Sequence, residues 1–386
     1  MAVVAVTEDR LHLSLDVSAV PARPGGAGYY TMALARGLAG RNDVGLTLVA
    51  RRGDEGRWRE LAGGASVRGE VPVSRPARLA FEQLGLSSVL RSAGVQIHHG
   101  PHYTMPARSP VPCAVTIHDC TFFDHPEWHL RSKAAFFRRA IRRAARRAGV
   151  LVCVSRVTEE RLRACCDVRV PVVVAPHGVD HERFTPLQPA EGADRAVLGA
   201  LGVPVDRPLV AFVGTLEPRK GVVPLIAAFD LVARSHPDAV LVLGGQTGWG
   251  MAETERALAA ATHPERIVRT GYLPDEAVPA LLRQASVVAY PALEEGFGLP
   301  ALEALACAAP LVTTEGTAMA EMARGAALLA PPGDVAALAA ALETALEEGP
   351  ATPRRALGIA VAGERTWAAS VARHLEAYAV ARAASQ

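Results

Sequence analysis

The chain has 386 residues, half of them hydrophobic, and 41 Lys and Arg set against 39 Asp and Glu leave a net charge of +2. That length exceeds one ordinary core and sets an expectation of two domains. The near-neutral balance by itself argues neither for nor against a nucleic-acid partner, and none is expected.

A mean hydropathy of +0.17 owes much to alanine, and no apolar run is long enough to span a bilayer. Residues 1–7 are apolar but are broken at once by Glu8, Asp9 and Arg10, which argues against a signal peptide. The six cysteines have no metal-type spacing: Cys165 and Cys166 are adjacent, and Cys113, Cys153 and Cys307 sit in apolar contexts. They read as buried thiols of a reducing cytoplasm.

Strand-like and helix-like segments then alternate, the pattern of a doubly wound α/β protein. Residues 12–17 read as the first strand and lead into Pro24-Gly25-Gly26-Ala27-Gly28, a glycine loop opening a helix over 30–38 that stops at Gly40. Strands are expected at 44–50 and 96–98. His98, His99 and His102 crowd the next loop, but no acid or cysteine lies at ligand spacing, so no metal is expected. Residues 114–119 read as a strand with His118 and Asp119 at its carboxyl end, where open α/β sheets bind ligands. Taken alone, His118 reads as a satisfied structural histidine.

The helix at 131–147 carries Arg131, Lys133, Arg138, Arg139, Arg142, Arg143, Arg146 and Arg147 without an acid. Phe136, Phe137, Ile141 and Ala145 mark its expected apolar stripe. Two readings stand: a solvated helix with one side in the core, or a peripheral contact with an anionic membrane. A strand at 150–154, a helix starting at Ser155 and a strand-and-turn at 172–180 follow.

Between 184 and 208 the composition shifts to Pro, Gly, Ala and Asp around a short helical piece at 195–201, which reads as a linker. The expected division is a first domain at 1–186, a linker at 187–207, a second domain at 208–365 and a final helix at 366–386. A strand at 209–213 precedes Gly214-Thr215-Leu216-Glu217-Pro218-Arg219-Lys220-Gly221 and a helix at 223–234. Arg219 and Lys220 beside a helix start offer a bidentate donor, a point charge and free amides, which suit a diphosphate. An exposed basic turn is the plainer alternative.

A strand at 240–243, a helix at 251–260, the segment ending Gly271-Tyr272-Leu273 and a helix at 276–284 continue the alternation. The apolar run 285–290 reads as a buried parallel strand. Beyond it, Gly296 and Gly298 let backbone approach a ligand, and Pro300 fits the first turn of a helix whose apolar face is Leu302, Leu305 and Ala306. Such a loop and helix start form an anion site, yet Glu295 lies in the loop and Glu303 one turn into the helix. Carboxylates accept hydrogen bonds from sugar and ribose hydroxyls, so the stretch points to a sugar nucleotide. A surface loop with a capping glutamate is the competing reading.

The run Glu295-Gly296-Phe297-Gly298-Leu299-Pro300-Ala301-Leu302-Glu303 resembles the signature of retaining glycosyltransferase family 4, two glutamates separated by seven residues. The resemblance extends over nearly the whole chain and is densest at 213–334. It implies the GT-B fold: two doubly wound, parallel-sheet, Rossmann-like α/β domains facing a cleft, the first on the acceptor side and the second holding the nucleotide sugar, with the last helix, which contains Trp367 and Tyr378, crossing back to the first domain. It also implies transfer of a hexosyl group from a nucleotide-diphosphate sugar to an acceptor hydroxyl, with retention, by a front-face route and with no metal or other cofactor.

Residue by residue, the resemblance has His118 touching the donor sugar, while Glu295 would hold the sugar's hydroxyls and Glu303 the ribose. Arg219 and Lys220 would hold the diphosphate, and Gly26 and Gly28 would meet donor phosphates or acceptor. Gly271, Tyr272 and Leu273 would face the nucleobase, with Gly214, Thr215, Gly296, Phe297, Gly298 and Leu299 completing the donor site. Two positions depart from the family pattern. Thr215 stands where many members have an arginine, and His177 replaces a usual asparagine. The Glu-Pro-Arg-Lys form is similar to a subgroup with bacterial mannosyltransferases, in which Arg219 would supply the missing guanidinium. GDP-mannose is therefore favoured as donor, followed by a UDP-sugar, and the acceptor is a glycan, a lipid-linked molecule or a small molecule. The rivals are another GT-B enzyme, such as a nucleotide-sugar epimerase, and a non-catalytic sugar-nucleotide-binding protein. A cytoplasmic location is expected, peripheral at the inner membrane face if the helix at 131–147 meets lipid.

Overall fold

The computed structural model describes residues 10–349 and 351–384; residues 1–7, read above against a signal peptide, lie outside that range. Two compact units form, one running to Gly178 and including the final segment from Trp367, the other spanning Val179–Thr366. No helix of the described residues is long and apolar enough to cross a membrane.

The first unit is built on seven strands: β1 (Leu11–Asp16), β2 (Val44–Arg51), β3 (Ser66–Val71), β4 (Ile97–Gly100), β5 (Cys113–Ile117), β6 (Val150–Cys153) and β7 (Val172–Val174). All neighbours are parallel, in the order β3-β2-β1-β4-β5-β6-β7. The central strands are apolar on both faces because helices cover both; Leu13, Leu15, Ile97, Val115, Ile117, Val150 and Val152 are fully buried. Strand order reverses between β1 and β4, so their carboxyl ends frame a crevice.

The helix expected at 30–38 starts earlier, at Gly26, and runs to Ala39. Gly25 is the extended cap residue, and the glycines behind it enter the first turn. Gly28 leaves no room for a side chain, since an added Cβ would lie 2.7 Å from Pro24 Cβ. The edge strand β3 and the helices Glu55–Leu61, Arg75–Leu84 and Leu86–Ser92 escaped the reading of the sequence. Strand β3 is polar and only partly buried, so it lacks an apolar run.

The basic helix, Arg131–Arg147, corrects the expected stripe. Ala134, Ile141, Ala144 and Ala145 are buried, with Phe137 half-buried, whereas Phe136 is 37% exposed. The turn of 3.6 residues per repeat carries position 136 off the face shared by 134, 137, 141 and 144. The closing helix, Trp367–Ala383, buries Val371, Ala377, Tyr378 and Ala381 in the same cluster as Tyr30, Leu34 and Leu38.

The second unit holds β8 (Leu209–Val213), β9 (Val240–Gly244), β10 (Ile267–Gly271), β11 (Val287–Tyr290), β12 (Leu311–Thr314) and β13 (Ala327–Ala330). They form a second all-parallel sheet in the order β10-β9-β8-β11-β12-β13. Here the order reverses between β8 and β11. The segment read as a linker belongs to this unit: its helix Ala193–Ala200 packs on Ala277–Gln284. A bidentate pair joins them, Arg283 Nε and Nη2 each 2.7 Å from a carboxylate oxygen of Asp194. Its low hydrophobicity hid this anchoring, because the contact is ionic as well as apolar.

Candidate active site

Two loops leave the carboxyl ends of β8 and β11, the strands that flank the crevice of the second unit. After β8, Pro218–Lys220 make a single 3-10 turn, and Gly221 begins the helix Val222–Ser235 in the left-handed conformation, φ 70°. Only glycine fits there: a Cβ would stand 2.0 Å from the Pro291 carbonyl oxygen. That close approach, with Leu293 N–H donating to Arg219 O at 2.8 Å, presses the loop after β11 onto the basic turn. Thr313 and Thr314 hydroxyls donate to the carbonyls of Tyr290 and Ala292, at 2.9 and 2.6 Å, and fix the same loop from β12.

The result is one charge cluster. Buried Lys220 donates to Tyr290 Oη at 2.8 Å and to Glu295 Oε2. Arg219 pairs with Glu217 at 2.6 Å and lies 3.8 Å from Glu295. Burial pulls the Lys220 ammonium down, but the Glu295 carboxylate and Tyr290 together offset it and the net shift is upward. Burial likewise pushes Glu295 up, and Lys220 and Arg219 together bring it below the usual carboxylate range. Both groups are thus held charged at neutral pH.

Glu303 differs. It lies within the helix Leu299–Ala306, which Gly298 caps with φ 88°, and an added Cβ at Gly298 would meet Met319 Cγ at 2.4 Å. Burial raises the Glu303 carboxyl to about 7, with Arg183 pulling weakly the other way. Gly296 follows Glu295 directly, and Phe297 is buried beside it, ahead of Leu299 at the helix start.

Gly214 and Thr215 follow β8, where Gly214 N–H donates to Gly244 O at 2.8 Å. Gly271 ends β10, and its carbonyl accepts from Gly245 N–H at 2.8 Å; Tyr272 beyond it is 47% exposed while Leu273 is buried. These positions therefore line the carboxyl edge of one sheet.

His118, Gly26 and Gly28 belong to the first unit. His118 follows β5, and its Nε2 donates to the Pro101 carbonyl at 2.7 Å. Its ring meets Tyr30 edge-on at 5.2 Å and lies 5.4 Å from the His102 ring. The neighbouring histidines are structural. His98 Nδ1 bonds Ser14 Oγ at 2.8 Å, while His99 bonds Tyr378 Oη and Thr116 Oγ1 at 2.8 and 2.7 Å. No group of three or more His, Cys, Asp or Glu among the described residues is placed to hold a metal ion.

Comparison with known proteins follows the same division. Residues 24–183 match the model of Glycosyltransferase Family 4, and residues 197–360 match that of Glycosyl transferases group 1. The chain belongs to the family 4 glycosyltransferases.

The O-antigen chain mannosyltransferase B of Escherichia coli is 28% identical over 297 residues, 75% of each chain. The D-inositol 3-phosphate glycosyltransferase of Corynebacterium jeikeium is 39% identical, but the match takes in only 39% of this chain and 36% of that protein. Among solved structures, sucrose-phosphate synthase from Thermosynechococcus elongatus superposes with a TM-score of 0.78 at 19% identity, covering 97% of this chain and 100% of its own. Anabaena HepE in complex with UDP-glucose superposes with a TM-score of 0.71 at 17% identity, covering 95% and 99%. These likenesses give the glycosyltransferase its GT-B fold.

Several site residues escaped the sequence. Tyr290 ends a strand that reads as purely apolar, yet its hydroxyl accepts from Lys220. Glu217 stands two residues before the arginine it neutralises, a spacing that could have signalled the pair. Tyr30, Thr116, His99, His374 and Tyr378 form a buried polar chain whose bonded partners lie up to 344 residues apart, beyond the reach of any local pattern.

Proposed function

We propose that this glycosyltransferase moves a hexosyl group, mannosyl in first place, from a nucleotide-diphosphate sugar to an acceptor hydroxyl with retention and without a metal. The observation that carries the reading is the convergence of Arg219, Lys220 and Glu295 where strand order reverses in the second sheet. A departing diphosphate develops negative charge, and two cations plus the amides at the starts of the helices Val222–Ser235 and Leu299–Ala306 supply preorganised compensation. The name of the Escherichia coli relative supports mannose, while the UDP-glucose complex of a structural neighbour keeps a UDP-sugar in view.

In this reading Glu295 holds the sugar's hydroxyls near the reacting carbon, and its charge is maintained by Lys220. Glu303 holds the ribose, His118 contacts the sugar, and Gly271, Tyr272 and Leu273 meet the base. Gly26 and Gly28 approach donor phosphates or acceptor, and the glycine loop of Gly296, Phe297, Gly298 and Leu299, with Gly214 and Thr215, closes around the donor. The leaving phosphate takes the acceptor's proton. A lipid-linked acceptor would bring exposed Phe136, Arg139 and Arg142 of the basic helix toward an anionic membrane.

The test is a donor panel of GDP-mannose, UDP-glucose and UDP-N-acetylglucosamine with excess EDTA, read as nucleoside diphosphate release and as the anomeric proton of the product. Release with an axial product linkage is expected. A donor altered in its sugar but not cleaved would indicate an epimerase, and binding without cleavage a sensor.

A further inference from the structure

We infer that Arg183 is a positioning residue for the nucleoside half of the donor: it grips the turn beyond Gly271, Tyr272 and Leu273 and sets its cation against Glu303, so that base and ribose contacts share one frame. This role rests on the proposed placing of Glu303 at the ribose.

The sequence puts Arg183 inside the stretch expected for the first domain, yet it lies in the second unit, within Val179–Thr366. Its turn is fixed locally. Asp180 Oδ1 accepts from the N–H groups of Glu182 and Arg183 at 3.1 and 3.3 Å, and Asp180 O accepts from Phe184 N–H at 2.7 Å. Phe184 is buried, and Thr185 O accepts from Arg283 Nη1 at 3.3 Å, the arginine bound to Asp194. From this turn the Arg183 guanidinium lies over the Phe184 ring at 4.9 Å. Its Nη2 donates to Asp275 O at 2.9 Å and lies 3.3 Å from Asp275 Oδ1. Asp275 comes two residues after Leu273, so the grip fixes the end of the proposed base contact. A guanidinium stacked and bonded in this way has little freedom left to lose when a ligand arrives.

Arg183 Nε is buried without a hydrogen-bond partner. Arg283, which holds structure together, contrasts with it: Nε and Nη2 are both engaged by Asp194. An unpaired buried donor is costly, which argues for a use beyond holding the turn. That use is Glu303, on which Arg183 is the acting cation among the described residues. The two make no ion pair, so the carboxylate oxygens stay open to ligand hydroxyls while the cation favours their charge across a gap.

The other titratable groups around the Glu303 helix are neutral or engaged elsewhere. Burial pushes the Cys307 thiol up to about 12. Tyr290 on β11 binds Lys220, Arg354 and Arg355 of the helix Pro353–Gly363 bind Glu348 and Ala308 O, and Glu321 of Ala318–Ala323 does not act on Glu303. Burial holds the Glu303 carboxyl at about 7 even with Arg183 present. Ribose hydroxyls donate best to the charged form, so nucleotide affinity is full above that pH and is lost as pH falls through it. Removing the cation moves the loss to higher pH.

The test is calorimetric titration of the full chain with GDP, UDP and pyrophosphate at pH 7 and pH 9. If Arg183→Gln moves the Glu303 midpoint from about 7 to about 8, the charged fraction at pH 7 falls from about one half to about one tenth, and nucleotide affinity should fall about fivefold. At pH 9 the loss should shrink below about twofold, because both proteins are then ionised at Glu303. Arg183→Lys, which keeps the charge, should lose less at pH 7 than Arg183→Gln. Pyrophosphate has no nucleoside and should bind all three proteins alike. In a Glu303→Gln background, Arg183→Gln should cost nothing further. Wild-type affinity at pH 7, a loss equal at both pH values, a loss shared by pyrophosphate, or a loss that adds to that of Glu303→Gln would overturn the role of Arg183. Normal nucleotide affinity in Glu303→Gln alone would instead remove the ribose assignment beneath it.

Discussion

Lys220 has two demands on it. It is buried, and its ammonium is kept charged by Glu295 and by the Tyr290 hydroxyl. A diphosphate would add a third partner at the same nitrogen, so the lysine is prepaid in desolvation and positioned before any ligand arrives. Lys220→Ala should weaken nucleoside diphosphate binding by about 2–3 kcal/mol, the scale of a charge-assisted contact. Titration calorimetry with GDP and UDP checks this, and wild-type affinity for both would remove Lys220 from the donor site. Arg219 should matter less to the same ligand, because Glu217 already holds its Nε at 2.6 Å.

At the scale of elements, the closing helix is tied to the first sheet by a hydrogen-bond chain whose proton order is fixed. The Ser370 carbonyl can only accept, so His374 Nδ1 donates to it at 2.7 Å and Nε2 must accept from Tyr30. Tyr30 then accepts from Thr116, Thr116 accepts from His99 Nε2, and His99 Nδ1 accepts from Tyr378. Every imidazole in the chain is neutral. Burial agrees, driving His374 down to about 4 and His99 well below the ordinary value.

A folded histidine with a depressed pKa binds fewer protons than the unfolded one. Its contribution is fully present above pH 6.5 and is lost as pH falls toward 4. Amide exchange along Trp367–Ala383 should therefore accelerate, after correction for intrinsic rates, between pH 7 and pH 5. Tyr30→Phe should loosen the same helix at pH 7 by about 1–3 kcal/mol, because it strands His374 Nε2. Unchanged protection in both cases would mean that apolar packing alone holds the helix.

Across the whole molecule, the legible parts are those with a local signal. Continuous apolar runs mark the strands at Leu209–Val213 and Val287–Tyr290, and the glycine–proline punctuation marks the helix starting at Leu299. Arg219, Lys220 and Glu295 were legible as separate motifs, but their pairing across 75 residues required the two sheet ends to meet. Polar edge strand β3 and the ionic anchoring of Ala193–Ala200 lack any periodic apolar pattern.

The most direct test separates the two glutamates. Glu295 is assigned to the reacting sugar and Glu303 to the ribose, which does not react. Measured together, donor turnover and nucleoside diphosphate affinity should split. Glu295→Gln should lower kcat by at least about a hundredfold, the scale of a lost transition-state contact, without weakening nucleotide binding, since it also releases Lys220. Glu303→Gln should weaken donor and free nucleotide alike by about 1–3 kcal/mol. Wild-type turnover in Glu295→Gln, or normal nucleotide affinity in Glu303→Gln, would contradict the assignment.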